Sequence, residues 1–329
     1  MGIQIKGIGM YVPELIVTND DLALMVETSD EWVTKRTGIK RRRIVNGELA
    51  YQLGAKAARQ AIEDAKISID EIDLILATTM SPDCCTPSLA CLIGYELNNK
   101  NAAAMDINGA CTGFVYAMDI ARNFLETGAY RNILLVSSEI MSRMIDFTDR
   151  STCVLFGDGA GAVVLTRQDG IYSSYLKGNP SGAYKLFTKM QYPKNPWDQV
   201  EKDYGLSHVN QYPEGYLYME GEEIYKFATK VLPEAVLCSL DRAGLSMKDI
   251  DFLIPHQANV RILQAANKRL MLPEEKLYVG IEEYGNISSA CIPVALYHMK
   301  EANQLKAGQR ICLAGFGAGL TYGAIVFEW

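Results

Sequence analysis

Three side chains in this sequence could together perform acyl chemistry. Cys111 lies in Asp106-Ile-Asn-Gly-Ala-Cys-Thr-Gly-Phe114, where Gly109, Ala110 and Gly113 leave room for a carbonyl to approach the sulfur. A near-continuous apolar run from Val115 to Leu125 follows and predicts a helix. A helix opening at or just after Cys111 would turn unpaired N–H groups and a positive dipole end on the sulfur, favouring a thiolate. His256, in Phe252-Leu-Ile-Pro-His-Gln-Ala-Asn259, stands just past a buried apolar strand. Strand ends are where open α/β sheets gather their chemistry. Asn286, in Tyr284-Gly-Asn-Ile-Ser-Ser-Ala-Cys-Ile-Pro293, precedes a second helical pattern. Singly, each has a plainer explanation: a buried hydrophobic cysteine, a satisfied core histidine, a helix-capping asparagine. Their joint placement is what argues for a site.

That placement comes from an internal repeat. Ala65-Lys-Ile-Ser-Ile-Asp-Glu-Ile-Asp-Leu-Ile-Leu76 aligns without gaps on Ala243-Gly-Leu-Ser-Met-Lys-Asp-Ile-Asp-Phe-Leu-Ile254, at an offset of 178. The same offset sets Phe114, Ala117 and Met118 on Ile292, Ala295 and Leu296, and Ile133–Val136 on Ile311–Ala314. Cys111 falls on Ser289 and His256 on Thr78, so the architecture itself does not require either chemical residue. Each half ends in a glycine-punctuated apolar strand, with about 20 extra residues before the first one, around Glu139 to Cys153. The pattern predicts a duplicated α/β unit: a first half over 1–170, an irregular connection over 171–220 and a second half over 221–329. In such a pseudo-symmetric molecule the Cys111 and Asn286 loops face each other, with His256 between them. Leu74–Leu76 and Ala162–Leu165 read as strands and Ala50–Ala65 as a helix. The stretch from Lys177 to Gly221, rich in Tyr, Pro, Gly and Asn, fits neither half and predicts a lid or an interface.

Composition narrows the class. With 49% apolar residues the 329-residue chain can bury an extensive core, and a net charge of −7 argues against generic nucleic-acid binding. The one dense basic run, Lys40-Arg41-Arg42-Arg43, is either a solvated loop or a phosphate contact. Eight cysteines contain no C-x₂-C pair, so metal binding is not indicated, and no Rossmann fingerprint occurs. Met1-Gly-Ile-Gln-Ile-Lys6 lacks the basic-then-apolar pattern of a signal peptide, and no apolar run reaches membrane-spanning length. The expectation is a soluble, cytoplasmic protein with reduced thiols.

The chain resembles β-ketoacyl-acyl carrier protein synthase III, a condensing-enzyme family of the thiolase superfamily. The resemblance runs end to end, through Thr28–Ile39, Asn108–Phe114, Asp149–Leu165, Pro255–Arg261, Gly285–Ala290 and Gly315–Gly323. It implies a five-layered αβαβα fold, a homodimer, and a decarboxylating Claisen condensation of an acyl-CoA primer with malonyl-acyl carrier protein through a cysteine thioester. It implies a catalytic triad of Cys111, His256 and Asn286, and coenzyme A contacts at Thr28, Trp32, Arg36, Arg150 and Asn259. It also implies a carrier-protein face at Lys226, Arg261 and Lys268, with no metal and no redox cofactor. A relative from a specialised pathway and a catalytically silent acyl-CoA-binding protein are the competing assignments; all three intact triad residues argue against the second.

The residue chemistry agrees with that assignment. A thiolate attacks a thioester carbonyl, and backbone N–H groups of Cys111 and of the Gly317-Ala318-Gly319 turn are candidates to hold the oxyanion. Loss of CO₂ from a malonyl thioester leaves an enolate that needs neutral donors, which His256 Nε2–H and the Asn286 amide can supply. Four features depart from the common family pattern. Thr86 stands where some members carry a bulky aromatic at the primer pocket, Ala318 where a glycine is frequent and Ser151 where a glycine is often found, and the aromatic connection before Gly221 is longer than in minimal members.

Overall fold

The structure is a computed structural model that describes residues 2–192, 196–197 and 202–329. The alternating apolar pattern of its strands builds the layers. In Leu74–Thr78, Leu74 and Leu76 face one cluster while Ile75 and Ala77 face another; Ile133 and Leu135 divide from Leu134 and Val136 in the same way. Both faces of each strand are apolar, so helices must cover the sheet on both sides.

Five strands form the first sheet, in the order Gly2–Tyr11, Asp158–Gln168, Asn132–Ile140, Leu74–Thr78, Ala103–Ile107. The second sheet runs Tyr172–Gly178, Thr321–Glu328, Arg310–Gly317, Phe252–Pro255. A single parallel bridge from Leu253 to Leu277 stands where the first sheet has its fifth strand. The two sheets therefore repeat one topology, as the offset of 178 predicts. Helices Gly113–Glu126 and Cys291–Glu301 lie between them and share one core with inward residues of both sheets, including Leu74, Leu135, Ile311 and Leu313. Ala50–Ala65 and Leu89–Glu96 cover the outer face of the first sheet, and Gly221–Arg242 and Val260–Leu270 that of the second. These are the five layers of the thiolase fold.

Helix Ala50–Ala65 has the predicted bounds, and its alanines explain its close seat. A Cβ on Gly7 or Gly9 of the first strand would stand 2.1 Å from the Ala61 or Ala57 carbonyl oxygen, so only glycine permits this approach. The connection between the halves is more ordered than its composition suggests. Tyr172–Gly178 is an edge strand of the second sheet, and Leu186–Thr188 pairs with Leu217–Met219. Its aromatics pack on one another, with Phe187 meeting Tyr184, Tyr212, Tyr218 and His208. The parts of this connection at 193–195 and 198–201 lie outside the described residues.

The basic run is resolved too. Arg42 is fully buried and binds the Asn19 side chain at 2.9 Å and the Val154 carbonyl at 2.9 Å, so it is neither solvated nor free for a phosphate. Lys40 and Arg41 pair with Glu282 and Glu283 on the surface.

Candidate active site

Pseudo-symmetry puts two matching turns at the centre of the molecule. Short 3₁₀ turns at Ala110–Thr112 and Ser288–Ala290 lead into the two central helices. Ala110 (φ 45°) and Ser288 (φ 49°) hold left-handed backbone at equivalent positions, which aims the next residue, Cys111 or Ser289, at the seam between the halves. Gly317, at the end of its strand, closes on the Cys111 turn. A Cβ there would stand 2.9 Å from the Cys111 nitrogen, so a glycine is required.

One cavity of about 240 Å³ is lined by Cys111, His256 and Asn286 together, with Phe316, Gly317 and Ala318 beside them. Its inner wall is apolar, and its mouth carries Trp32, Arg150 and Asn259. A second, outer cavity shares Trp32 and is lined by Ser29, Glu31, Lys35, Arg36 and Arg261. The guanidinium carbons of Arg36 and Arg150 lie 4.5 and 4.9 Å from the Trp32 ring centroid. A narrow apolar channel thus opens on a cationic, aromatic rim, a shape suited to a thioester carrying a phosphate-bearing head.

Cys111 is 8% exposed, and burial pushes its thiol up to about 12. The sulfur is therefore protonated at rest despite its place at a helix N-terminus. His256 is buried and packs edge-on against Phe316, ring centroids 5.4 Å apart. Its backbone N–H donates to the Ala314 carbonyl at 2.8 Å, while the ring Nδ1 finds no partner among the described residues. Burial holds the imidazole down to about 3, so it is neutral at physiological pH. In Asn286 the Oδ1 atom accepts from the Ser288 N–H at 2.9 Å, which leaves the NH₂ end as the donor. Its backbone is clamped to the neighbouring pocket wall, donating to Leu155 O at 2.8 Å and accepting from Gly157 N at 3.2 Å.

The neutral histidine gives a stability prediction. Its folded-state pKa lies below the unfolded value of about 6.5, so the unfolded chain binds the proton first. Stability is then lost as pH falls through about 6.5 toward 3, by about 1.4 kcal/mol per pH unit from this residue. His256→Gln should flatten the loss between pH 7 and pH 5 by about 2 kcal/mol in denaturant unfolding. Equal slopes in both proteins would mean that the folded ring is solvated.

Other expected residues are placed less simply. Asn259 caps helix Val260–Leu270 through its side chain, with Oδ1 accepting from Arg261 N at 2.8 Å, and also lines the channel. Thr28 lines neither cavity, and its buried hydroxyl has no partner among the described residues. Thr86 is exposed and does not line the cavity of this chain. Lys226 is tied up by Glu222 at 2.7 Å and Glu223 at 3.2 Å, whereas Lys268 is exposed and Arg261 sits on the outer rim. Sequence reasoning missed Lys35 on that rim, Phe316 against His256, and the aliphatic wall of Leu186, Leu217, Met219 and Ile224. It also missed Glu139, a buried carboxylate beneath the Ser288–Ala290 turn. The connection lines the cavity with aliphatic residues while its aromatics pack on themselves, which its composition alone does not reveal.

A buried cysteine at the seam of a duplicated five-layered fold, facing an apolar channel, belongs to the acyl-transferring condensing enzymes. Residues 240–329 match the 3-oxoacyl-(acyl-carrier-protein) synthase III C-terminal family, and residues 105–180 match 3-oxoacyl-(acyl-carrier-protein) synthase III. A β-ketoacyl-(acyl-carrier-protein) synthase III of Clostridium acetobutylicum is 45% identical over 99% of this chain and 98% of its own length. The crystal structure of 3-oxoacyl-(acyl-carrier-protein) synthase III from Aquifex aeolicus superposes with a TM-score of 0.90 at 39% identity, covering 100% of both chains. A priming β-ketosynthase of a polyketide pathway superposes equally well, TM-score 0.90 at 34% identity, over 99% of this chain and 96% of its own. The chain belongs to the β-ketoacyl-acyl carrier protein synthase III family, and it is an initiating condensing enzyme of fatty-acid synthesis.

Proposed function

We propose that Cys111 takes an acyl group from acyl-CoA, and that His256 and Asn286 then promote decarboxylation of malonyl-acyl carrier protein on the acylated enzyme. The observation that carries this is the single channel joining Cys111, His256 and Asn286 to the Trp32–Arg150 mouth. The substrate carbonyl oxygen sits between the N–H groups of Cys111 and Ala318. As the C–S bond forms and the bond to the CoA sulfur breaks, the thiol proton passes to the departing CoA, directly or through solvent, and the acyl chain lies along Met141, Phe156 and Leu186. Adenine stacks on Trp32, and Arg36 and Arg150 meet phosphates. Asn259 sits along the pantetheine arm, and Thr28 lies beside the nucleotide. In the second half-reaction CO₂ leaves the malonyl thioester, and the enolate oxygen is held by His256 Nε2–H and the Asn286 NH₂. Its carbon then attacks the Cys111 thioester, the acyl C–S bond breaks, and the released Cys111 sulfur regains a proton from solvent, giving 3-oxoacyl-acyl carrier protein. No metal and no redox cofactor enters these steps. The carrier docks its acidic surface on Arg261 and Lys268, with Lys226 joining once it is released from its glutamates. The enzyme works in the cytoplasm. The test is intact mass after exposure to a panel of acyl-CoAs: an acyl adduct confined to Cys111 supports the reading, and none from any acyl-CoA removes it.

A homodimer completes this picture. Ala103–Ile107 is the edge strand of the first sheet, and the nearby segment Cys84–Pro87 is exposed. Pairing these edges between two copies would cover both and bring Thr86 of one copy against the channel of the other. A threonine at that wall leaves the volume of a phenyl ring, so Thr86→Phe should cut acylation by medium or branched acyl-CoAs about 5- to 150-fold while sparing acetyl-CoA. An unchanged chain-length profile would show that Thr86 does not reach the pocket. The likeness to a polyketide priming synthase supports a second reading, in which the primer is an unusual acyl group of a specialised pathway. The adduct masses separate the two.

A further inference from the structure

Glu139 has no part in the chemistry above, yet it is fully buried and four donors converge on its carboxylate. Oε2 accepts from Thr79 Oγ1 at 3.2 Å, Met80 N at 3.0 Å and Ser81 Oγ at 2.9 Å, and Oε1 accepts from Ser289 Oγ at 2.8 Å. The three hydroxyls are each engaged from behind. Thr79 Oγ1 accepts from Ser81 N at 3.0 Å, Ser81 Oγ from Ile140 N at 2.8 Å, and Ser289 Oγ from Thr78 Oγ1 at 3.0 Å. Their own protons are thereby directed at Glu139. Burial pushes the Glu139 carboxyl up, and the donors from Met80, Ser289 and Ser81 oppose it; four donors aimed at one carboxylate favour its ionised form. The N-terminus of the eleven-residue helix Cys291–Glu301, which Ser289 precedes, adds favourable potential for that charge.

The anion has two neighbours in the active site. Through Ser289 it anchors the turn in which the Ser288 N–H holds Asn286 Oδ1 at 2.9 Å, and so decides which end of that amide meets substrate. It also lies close behind the Cys111 thiol: the Ser288–Ala290 turn that it tethers packs on the Ala110–Thr112 turn, where a Cβ on Gly113 would stand 3.4 Å from the Ser289 Cβ, and at that place a negative charge opposes ionisation of the thiol. The other titratable groups around Cys111 are His256, which is neutral, Tyr225, which lines the same cavity, and Cys291, itself a buried thiol; Arg150 lines that cavity too but is stacked on Trp32.

We propose that Glu139 is an ionised positioning residue that fixes the donor end of Asn286 through the Ser289–Ser288 turn while its charge restrains Cys111 from becoming a thiolate. The first role rests on the donor assignment of Asn286; the second does not. Glu139→Gln removes the charge at nearly constant volume, and its amide places a donor against groups that also donate. Alkylation of Cys111 by iodoacetamide should then become about tenfold faster at pH 7, with its pH midpoint moved downward, because a like charge nearby has been removed. Condensation should fall by about 10- to 100-fold, because the donor is misplaced. A purely structural carboxylate would not speed up the thiol while slowing the reaction. An alkylation profile that stays put or moves upward overturns the electrostatic role, whatever the protein's substrate. Ser289→Ala keeps the charge and removes one tether, so condensation should fall about tenfold with the alkylation midpoint unmoved. Wild-type condensation in that variant, which also decides the matter if Glu139→Gln does not fold, overturns the positioning role.

Discussion

Cys111→Ala is expected to give a folded protein that never carries an acyl group. Alanine suits the crowded turn, where Gly317 lies against the Cys111 backbone, and only the buried sulfur is lost. A change of that size costs about 1 kcal/mol of stability, a shift of about 2–4 °C in melting temperature for a domain of this size. Activity has no such margin. The first bond of the reaction forms at this sulfur, and none of the oxyanion donors can act until it has formed. Intact-mass spectrometry after incubation with acyl-CoA, beside a thermal melt, separates the two effects. Peptide mapping is needed as well, because Cys291 is a second buried thiol within electrostatic reach of Cys111. An acyl group on the Cys111→Ala protein, on Cys291 or elsewhere, would mean that the nucleophile has been misassigned.

Much of this architecture was legible because the fold is written twice. One offset predicted two equivalent sheets, two central helices and the mirrored turns that aim Cys111 and Ser289. Periodicity alone placed helix Ala50–Ala65, whose alanines pack on Gly7 and Gly9. Glu139 was not legible. It stands at the end of an apolar strand, and its partners lie 60 positions back, at Thr79, and 150 positions ahead, at Ser289. No local pattern joins such residues; only the packed seam does. The surface ion pairs of Lys226 with Glu222 and Glu223, by contrast, follow from i,i+4 and i,i+3 spacing on one helix and can be read from the sequence. Arg42 reads as one of four clustered cations and proves to be a buried tie between the Asn19 side chain and the carbonyl of Val154, which ends the short helix Arg150–Cys153.

His256 and Asn286 should separate the two half-reactions. Alanine at either position is expected to leave self-acylation of Cys111 measurable, since the thiol proton can pass to solvent or to the departing CoA and the oxyanion donors are backbone groups. Decarboxylation should suffer far more. The enolate oxygen has two neutral donors, and removing one such donor from a preorganised site costs about 10²–10³ in rate. Neutrality matters here: burial keeps His256 uncharged, so its ring carries one N–H, which the donor role requires on Nε2, and the second nitrogen can only accept. Asn286 offers its NH₂ because Ser288 occupies Oδ1. The two losses should not multiply in the double variant, because donors to one oxygen act as a unit. The measurement is CO₂ release from malonyl-acyl carrier protein by enzyme already acylated at Cys111, which removes the first half-reaction from the rate. Release at the wild-type rate by either single variant would overturn its donor role. Normal decarboxylation combined with failed acylation would instead make His256 the base for the thiol, an outcome that its depressed basicity in the buried pocket argues against.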